Sequence, residues 1–321
     1  MTLQEVVHCS GGLLVAQRGA LETELPATVL RVGEIAEIGL PETAPVEARR
    51  NDDVVWRRHW SGGERLVIEF VDLARVAVDD VRGTVTFDRE LPDETEQHLL
   101  FDHILPLVLA RRGALVVHGG LISRNGRGVV LVGHSGAGKS TLAAYSWRQG
   151  WTLGNDDGAV LFPTDPPAVE PTYATLRLTP ASVELLGLTQ VSTTNVVGKV
   201  RLTVGDSKAF HQERVRLDII AIIEPGPADG EARFAPLSGV AAHAKLFGST
   251  FHADLSRERR LPLVVDALAS IIETTTVGRL QVPRGLDGLA RSEMLLRDLL
   301  DRRSRSDTAL SHIGRPAATT P

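Results

Sequence analysis

The sequence predicts an α/β fold in three parts: a β-rich N-terminal domain at 1–92, a strand–helix core at 93–303 with a helical C-terminal region, and a polar tail at 304–321. Three observations carry this. Short runs of β-branched residues crowd the front, and strands alternate with helices after Pro92. Within that alternation a glycine-rich loop stands between an apolar strand and a helix.

In the front part, Thr28–Val32, Arg65–Val71, Val76–Val78 and Gly83–Phe87 read as strands, from their β-branched content and short alternations. Gly62-Gly63 and Arg82-Gly83 punctuate them as turns, and Leu40 to Asn51 reads as a loop. At Pro92-Asp93 the pattern changes. Asp93 caps a helix from Glu94 through Ala110, which Pro106 should kink and Gly113 should end.

The core follows. Ala114–Val117 and Val129–Val132 read as strands, Lys139 to Arg148 as a helix, and Trp151–Leu153 and Ala159–Phe162 as strands. Pro163 to Pro171 is a proline-rich loop, Leu217–Ile223 a buried strand, and Pro225 to Gly230 a turn. Residues from Gly239 to Arg302 read as mainly helical with a break at Pro283 to Gly285, and Ser304 to Pro321 as a disordered tail.

Composition narrows the function classes. The 321 residues are 43% hydrophobic and 23% charged, ordinary for a globular chain able to bury a core. A net charge of −5 and a pI near 6.1 speak against a general nucleic-acid binder. The single cysteine, Cys9, excludes an intrachain disulfide framework and a thiolate metal cluster. There is no basic leader followed by an apolar stretch and no apolar run of membrane-spanning length, so the expectation is a cytoplasmic protein without membrane or nucleic-acid partners.

Gly133-His-Ser-Gly-Ala-Gly-Lys-Ser140 fits the phosphate-loop pattern G-x-x-x-x-G-K-[ST] without a mismatch. Such a loop bends on its glycines so that backbone N–H groups converge on an anion, and the following helix adds its positive dipole end. Gly133, Ser135, Gly136, Ala137, Gly138, Lys139, Ser140 and Thr141 are the expected nucleotide-binding residues. Lys139 supplies a positive charge to the β- and γ-phosphates of ATP, and the Ser140 hydroxyl is the expected Mg²⁺ ligand.

Asn155-Asp156-Asp157 follows one strand later, which puts two carboxylates at a strand end on the phosphate side of a doubly wound sheet. Phosphoryl transfer needs acidic groups to hold the metal and to orient or deprotonate the attacking hydroxyl. Adjacent carboxylates repel, which raises the pKa of one. Taken alone, Asp-Asp-Gly reads more readily as a solvated turn; one strand after the loop's helix it reads as functional. His118 ends an apolar strand one hairpin before the loop and could reach the pair, although a lone His there is usually structural.

At this point the residues resemble HPr kinase/phosphorylase and its wider family. The shared order is His118-Gly119, a hairpin, Gly133 to Ser140, a helix ending in Arg148-Gln-Gly150, and Asp156-Asp157. The resemblance is strong over Leu115 to Val160 and weak elsewhere. It implies a P-loop core of the HPr kinase/PEP carboxykinase type and ATP-dependent transfer to a serine hydroxyl. It also implies Asp156 as base, Asp157 near the metal and His118 as support for both. Where true HPr kinases carry a glycine-rich segment, this chain has Pro171-Thr-Tyr-Ala-Thr-Leu-Arg-Leu178, so the family's glutamate ligand has no assigned counterpart, Glu170 being a guess. The β-rich front followed by Leu105-Pro-Leu-Val-Leu-Ala-Arg-Arg-Gly113 looks more like kinases that phosphorylate a serine of a lasso-peptide precursor.

Lys199 and Arg201 are further candidate cations for the phosphates, with a solvated strand face as the plain alternative. Trp56-Arg-Arg-His-Trp60 is either a peptide-docking edge or a strand packing its tryptophans on the core. The reading is a kinase acting on a peptide or protein serine. Its alternatives are a small-molecule kinase or phosphorylase and a nucleotide-gated regulatory protein, and homo-oligomerisation stays open.

Overall fold

The computed structural model describes residues 7–9, 12–17, 28–51, 54–62, 65–79, 82–171, 176–188, 192–196, 199–203, 214–227, 230–251 and 260–313. The first eight strands are β1 (Val7–Cys9), β2 (Gly12–Gln17), β3 (Thr28–Val32), β4 (Glu47–Asn51), β5 (Val54–Gly62), β6 (Arg65–Phe70), β7 (Ala74–Asp79) and β8 (Thr84–Phe87). They form one sheet in the order β1-β2-β3-β8-β7-β6-β5-β4, antiparallel except where β3 meets β8. Alternation sorts its faces: Leu66, Ile68, Phe70, Val76, Val78, Val85 and Phe87 point to the main core. Trp60, Val67 and Ala77 point to the other side, under Ile38.

Two expectations for this region change. Glu47–Asn51, inside the expected loop, is the edge strand β4. Because β4 covers β5, the tryptophans do not lie on a free edge: Trp60 is buried and its indole N–H donates to Thr43 O at 2.8 Å.

The segment after the sheet is not one kinked helix. It is α1 (Asp93–Leu99), a π-helical turn (Leu100–Ile104) and α2 (Leu105–Arg111), with Pro92 rather than Asp93 at the N-cap. Pro106 follows the π turn directly and has no N–H to offer the carbonyl of Asp102 four residues back, so the irregularity lies in the turn that precedes the proline. Gly113, at φ +96°, ends the element.

β9 (Leu115–Val117), β10 (Gly119–Arg124), β11 (Arg127–Val132), α3 (Lys139–Arg148), β12 (Thr152–Asn155), β13 (Ala159–Phe162) and β14 (Ala168–Pro171) come next. β14 takes the end of the expected proline-rich loop. Then come β15 (Leu176–Leu178), α4 (Pro180–Leu185), β16 (Ser192–Val196), β17 (Lys199–Thr203), β18 (Val215–Pro225), β19 (Arg233–Pro236), α5 (Gly239–Phe247), α6 (Arg260–Thr274), β20 (Thr276–Val282) and α7 (Gly285–Ile313). The expected helical C-terminal region therefore contains a strand, β20, paired in parallel with β18 along its whole length. The helix α7 runs to Ile313, over residues 304–313 that the sequence assigns to the tail; residues 314–321 lie outside the described part.

The central sheet is mixed. β11, β18 and β20 pair in parallel, while β10 and β12 join antiparallel on one side and β14, β13 and β9 antiparallel on the other. β18 is buried along nearly all its length, as a strand with both faces covered must be. One face packs residues of α3 and α7 and the other residues of α5 and α6, each on its own apolar cluster. A third cluster joins the front sheet, the π turn, α2, Val116, Val160 and Phe162, so the core runs without a break across the expected boundary near residue 92.

Candidate functional site

Valines and leucine in β11 run alongside β18, and at its end the glycine-rich loop begins. At Gly133 a Cβ would stand 2.9 Å from Ile223 O, so only glycine lets the two backbones approach. Gly136 (φ +80°) and Gly138 (φ +99°) take left-handed conformations, and Gly138 caps α3, which starts at Lys139. Lys139 is buried, and its ammonium donates to Gly133 O at 2.7 Å and His134 O at 3.2 Å. Burial lowers its pKa and Lys199 adds to that, while Asp157 and Asp156 act against it. His134, Ser135 and Gly136 are exposed at the mouth. The Thr141 hydroxyl shares a hydrogen bond of 2.8 Å with Ser182 Oγ on α4, so it is engaged away from the loop.

β12 runs antiparallel to β10, which runs antiparallel to β11, so β12 ends on the same side of the sheet as the loop. Asp156 and Asp157 follow it and are both buried. Ser140 Oγ donates to Asp156 Oδ1 at 2.6 Å, joining the loop to the acid pair. The backbone N–H of Arg177 donates to Asp156 Oδ2 at 3.0 Å. Burial, and next the charge of Asp157, push the Asp156 carboxyl up to about 6. Asp157 goes the other way: against the burial cost, His118 and Arg177 hold its carboxyl well below the usual range.

His118 reaches the pair because Val117 is the cross-strand partner of Ala159, two residues past Asp157. Its Nε2 stands 3.8 Å from Asp157 Oδ1, and its ring packs edge-on to Phe251. The structure thus brings together Lys139, Ser140, Asp156, Asp157 and His118. Lys199, half-buried on β17, acts electrostatically on Lys139 and both aspartates. Arg201 on the same strand pairs by backbone with Arg177, and its side chain lies outside the described residues. Glu170 is buried on β14, with Arg214 Nη2 at 3.5 Å.

No family model matches this chain, and no curated protein does either. Solved structures do match. One is the Hpr(Ser) kinase/phosphatase from Coxiella burnetii, at 13% identity over 62% of this chain and 99% of that one, with a TM-score of 0.34. Overlap this loose carries no inference about chemistry.

The sequence did not point to Arg177, His98 or Asp102. The Arg177 guanidinium contacts Asp157 Oδ2, stands 2.6 Å from Asp102 Oδ2 and 2.7 Å from His98 Nδ1; His98 Nδ1 also contacts Asp102 Oδ2. All three are buried. The available signal was charge out of place: an arginine between two leucines in β15, and His98 and Asp102 four apart around the most apolar stretch of the chain.

Proposed function

We propose that this chain is an ATP- and Mg²⁺-dependent kinase that transfers a phosphoryl group to a serine hydroxyl of a peptide or protein. The carrying observation is the Ser140–Asp156 hydrogen bond, which sets the acid pair against the N-terminus of α3 and within the field of Lys139.

The residues fit both groups. A loop walled by glycines at Gly133, Gly136 and Gly138, opening onto a helix N-terminus and a buried ammonium, suits a polyphosphate. Mg²⁺ takes one or two protein ligands and completes its shell with phosphate oxygens and water. Ser140 and Asp157 would hold it, and bound there it would offset charge developing on the transferred group.

Lys139 and Lys199 bring positive charge to the loop, and Lys139 must leave Gly133 O and His134 O to reach a phosphate. Asp156, with a pKa near 6, is mostly ionised at pH 7 and still basic enough to take the proton of an attacking hydroxyl. His118 and Arg177 keep Asp157 anionic beside it. The Ser140–Asp156 bond also favours a second division of labour, in which Asp156 orients Ser140 for the metal and Asp157, facing His118, receives the proton. The acceptor class rests on the layout that resembles lasso-peptide kinases, so a lasso-type precursor is the acceptor to try first.

The test uses labelled ATP with candidate peptides and metabolites. Asp156→Asn is expected to bind nucleotide and lose transfer. If Asp157→Asn alone loses transfer while Asp156→Asn raises the Mg²⁺ requirement, the two roles are exchanged. Normal transfer by both variants would remove the assignment.

A further inference from the structure

The buried chain His98–Asp102–Arg177 reaches the acid pair from the front of the molecule. It comprises an i,i+4 pair across the end of α1 and the π turn, and one arginine from the three-stranded sheet β15-β17-β16. Arg177 touches both aspartates at once, Asp156 through its backbone N–H and Asp157 through its guanidinium. The same Nη2 that meets Asp157 Oδ2 lies 2.6 Å from Asp102 Oδ2, and Nη1 lies 2.7 Å from His98 Nδ1. Nη2 thus bridges the carboxylates of Asp157 and Asp102 while Nη1 meets the His98 ring, contacts spread over two nitrogens of one planar group that a single ammonium does not present.

Its backbone explains how Asp102 arrives there. A π turn widens the helix locally, at the expense of regular hydrogen bonding, and such turns concentrate at functional sites. Here it turns Asp102 inward, 1% exposed, while Phe101, Ile104 and Leu105 stay in the apolar cluster. A carboxylate in an apolar helix is costly unless it is paired, and its partner is the arginine that holds the site.

We propose that Asp102 and Arg177 form a positioning relay: Asp102, carried by the front π turn, aims the Arg177 guanidinium, and Arg177 fixes the orientation of Asp157. Neither touches the reacting atoms; they act through the acid pair. The inference rests on the kinase reading and names the residues that pre-set its carboxylates.

The experiment compares the full-length wild type with Asp102→Asn, Arg177→Lys and the double variant. It measures the Kd for a fluorescent ATP analogue with Mg²⁺, kcat and KM for Mg·ATP turnover, and the melting temperature. The expected result is a kcat lowered about 10- to 100-fold in each single variant, with KM and analogue Kd within about 3-fold of wild type. The double variant should be little worse than either single, because the two residues act as one unit. An unchanged kcat in Asp102→Asn, or losses that simply add in the double variant, would overturn the relay. So would a fall in melting temperature without a change in kcat per folded molecule, the mark of a merely structural triad. If Asp102→Asn does not fold, Arg177→Lys, which keeps the charge in place, carries the same kcat-against-KM test. Failure of the wild type to bind the analogue would instead remove the nucleotide reading, and this inference with it.

Discussion

The two ends of the central sheet both bury carboxylates, and they treat them in opposite ways. At the start of β18, Asp218 is fully buried and meets three arginines. Arg127 grips it through two nitrogens at 2.8 and 2.7 Å, Arg216 lies at 3.2 Å and Arg303 at 3.5 Å. At the loop end, Asp156 and Asp157 lie side by side, with one guanidinium shared between Asp157 and Asp102 and with lysines acting from a distance. At one end three guanidiniums surround a single carboxylate; at the other a single guanidinium is shared by two carboxylates, beside a glycine-rich loop. Burial of an acid alone therefore does not mark a functional site.

Four substitutions would break or sharpen this contrast. The largest effect belongs to Lys139→Ala: transfer should fall about 1000-fold, or about 4 kcal/mol in barrier, with little change in melting temperature. A normal rate in a labelled-ATP assay would mean that the loop end is structural too. Next, Asp218→Asn should lower unfolding free energy by about 3 kcal/mol in urea, because three arginines lose their shared counter-charge. Nucleotide affinity should be unchanged, and a weakened affinity would show the two ends to be coupled.

The third effect is a dependence on pH. The Asp156 carboxyl is raised from 3.8 to about 6 in the fold, so its contribution to stability is complete below pH 3.8 and is lost as pH rises through about 6. Asp156→Asn should therefore be more favourable to stability at pH 7 than at pH 4. Asp157 is depressed, so its stabilisation is present at neutral pH and lost as pH falls, and Asp157→Asn should destabilise at pH 7. Chemical unfolding at both pH values reads both signs; the same sign for the two would refute the split. The smallest effect is Arg303→Ala, about 1 kcal/mol, since Asp218 keeps Arg127 and Arg216. A loss as large as that of Asp218→Asn would show that the neutralisation there is not redundant.

What the sequence made legible follows the same divide. The phosphate loop is contiguous from Gly133 to Thr141, with its strand before and its helix after, and α3 has the bounds read from the residues, Lys139 to Arg148. Asp156 and Asp157 were readable because they follow that helix by one strand. Arg177 was not, because its role comes from meeting His98, 79 residues earlier, and no local pattern encodes that meeting. β20 was hidden because seven residues of mixed polarity, Thr276–Val282, between two helices are too few for their period to separate strand from helix. The break in the helix was readable from Pro106, but its form, a π turn over Leu100–Ile104, was not.

The uninterrupted apolar cluster beneath the front sheet has a consequence for the second part of the chain. Removing residues 1–92 would strip the cover from Leu99, Ile104, Val108 and Val116 and leave a greasy wall facing water. The front sheet thus serves as the lid of a core that the second part of the chain cannot close by itself.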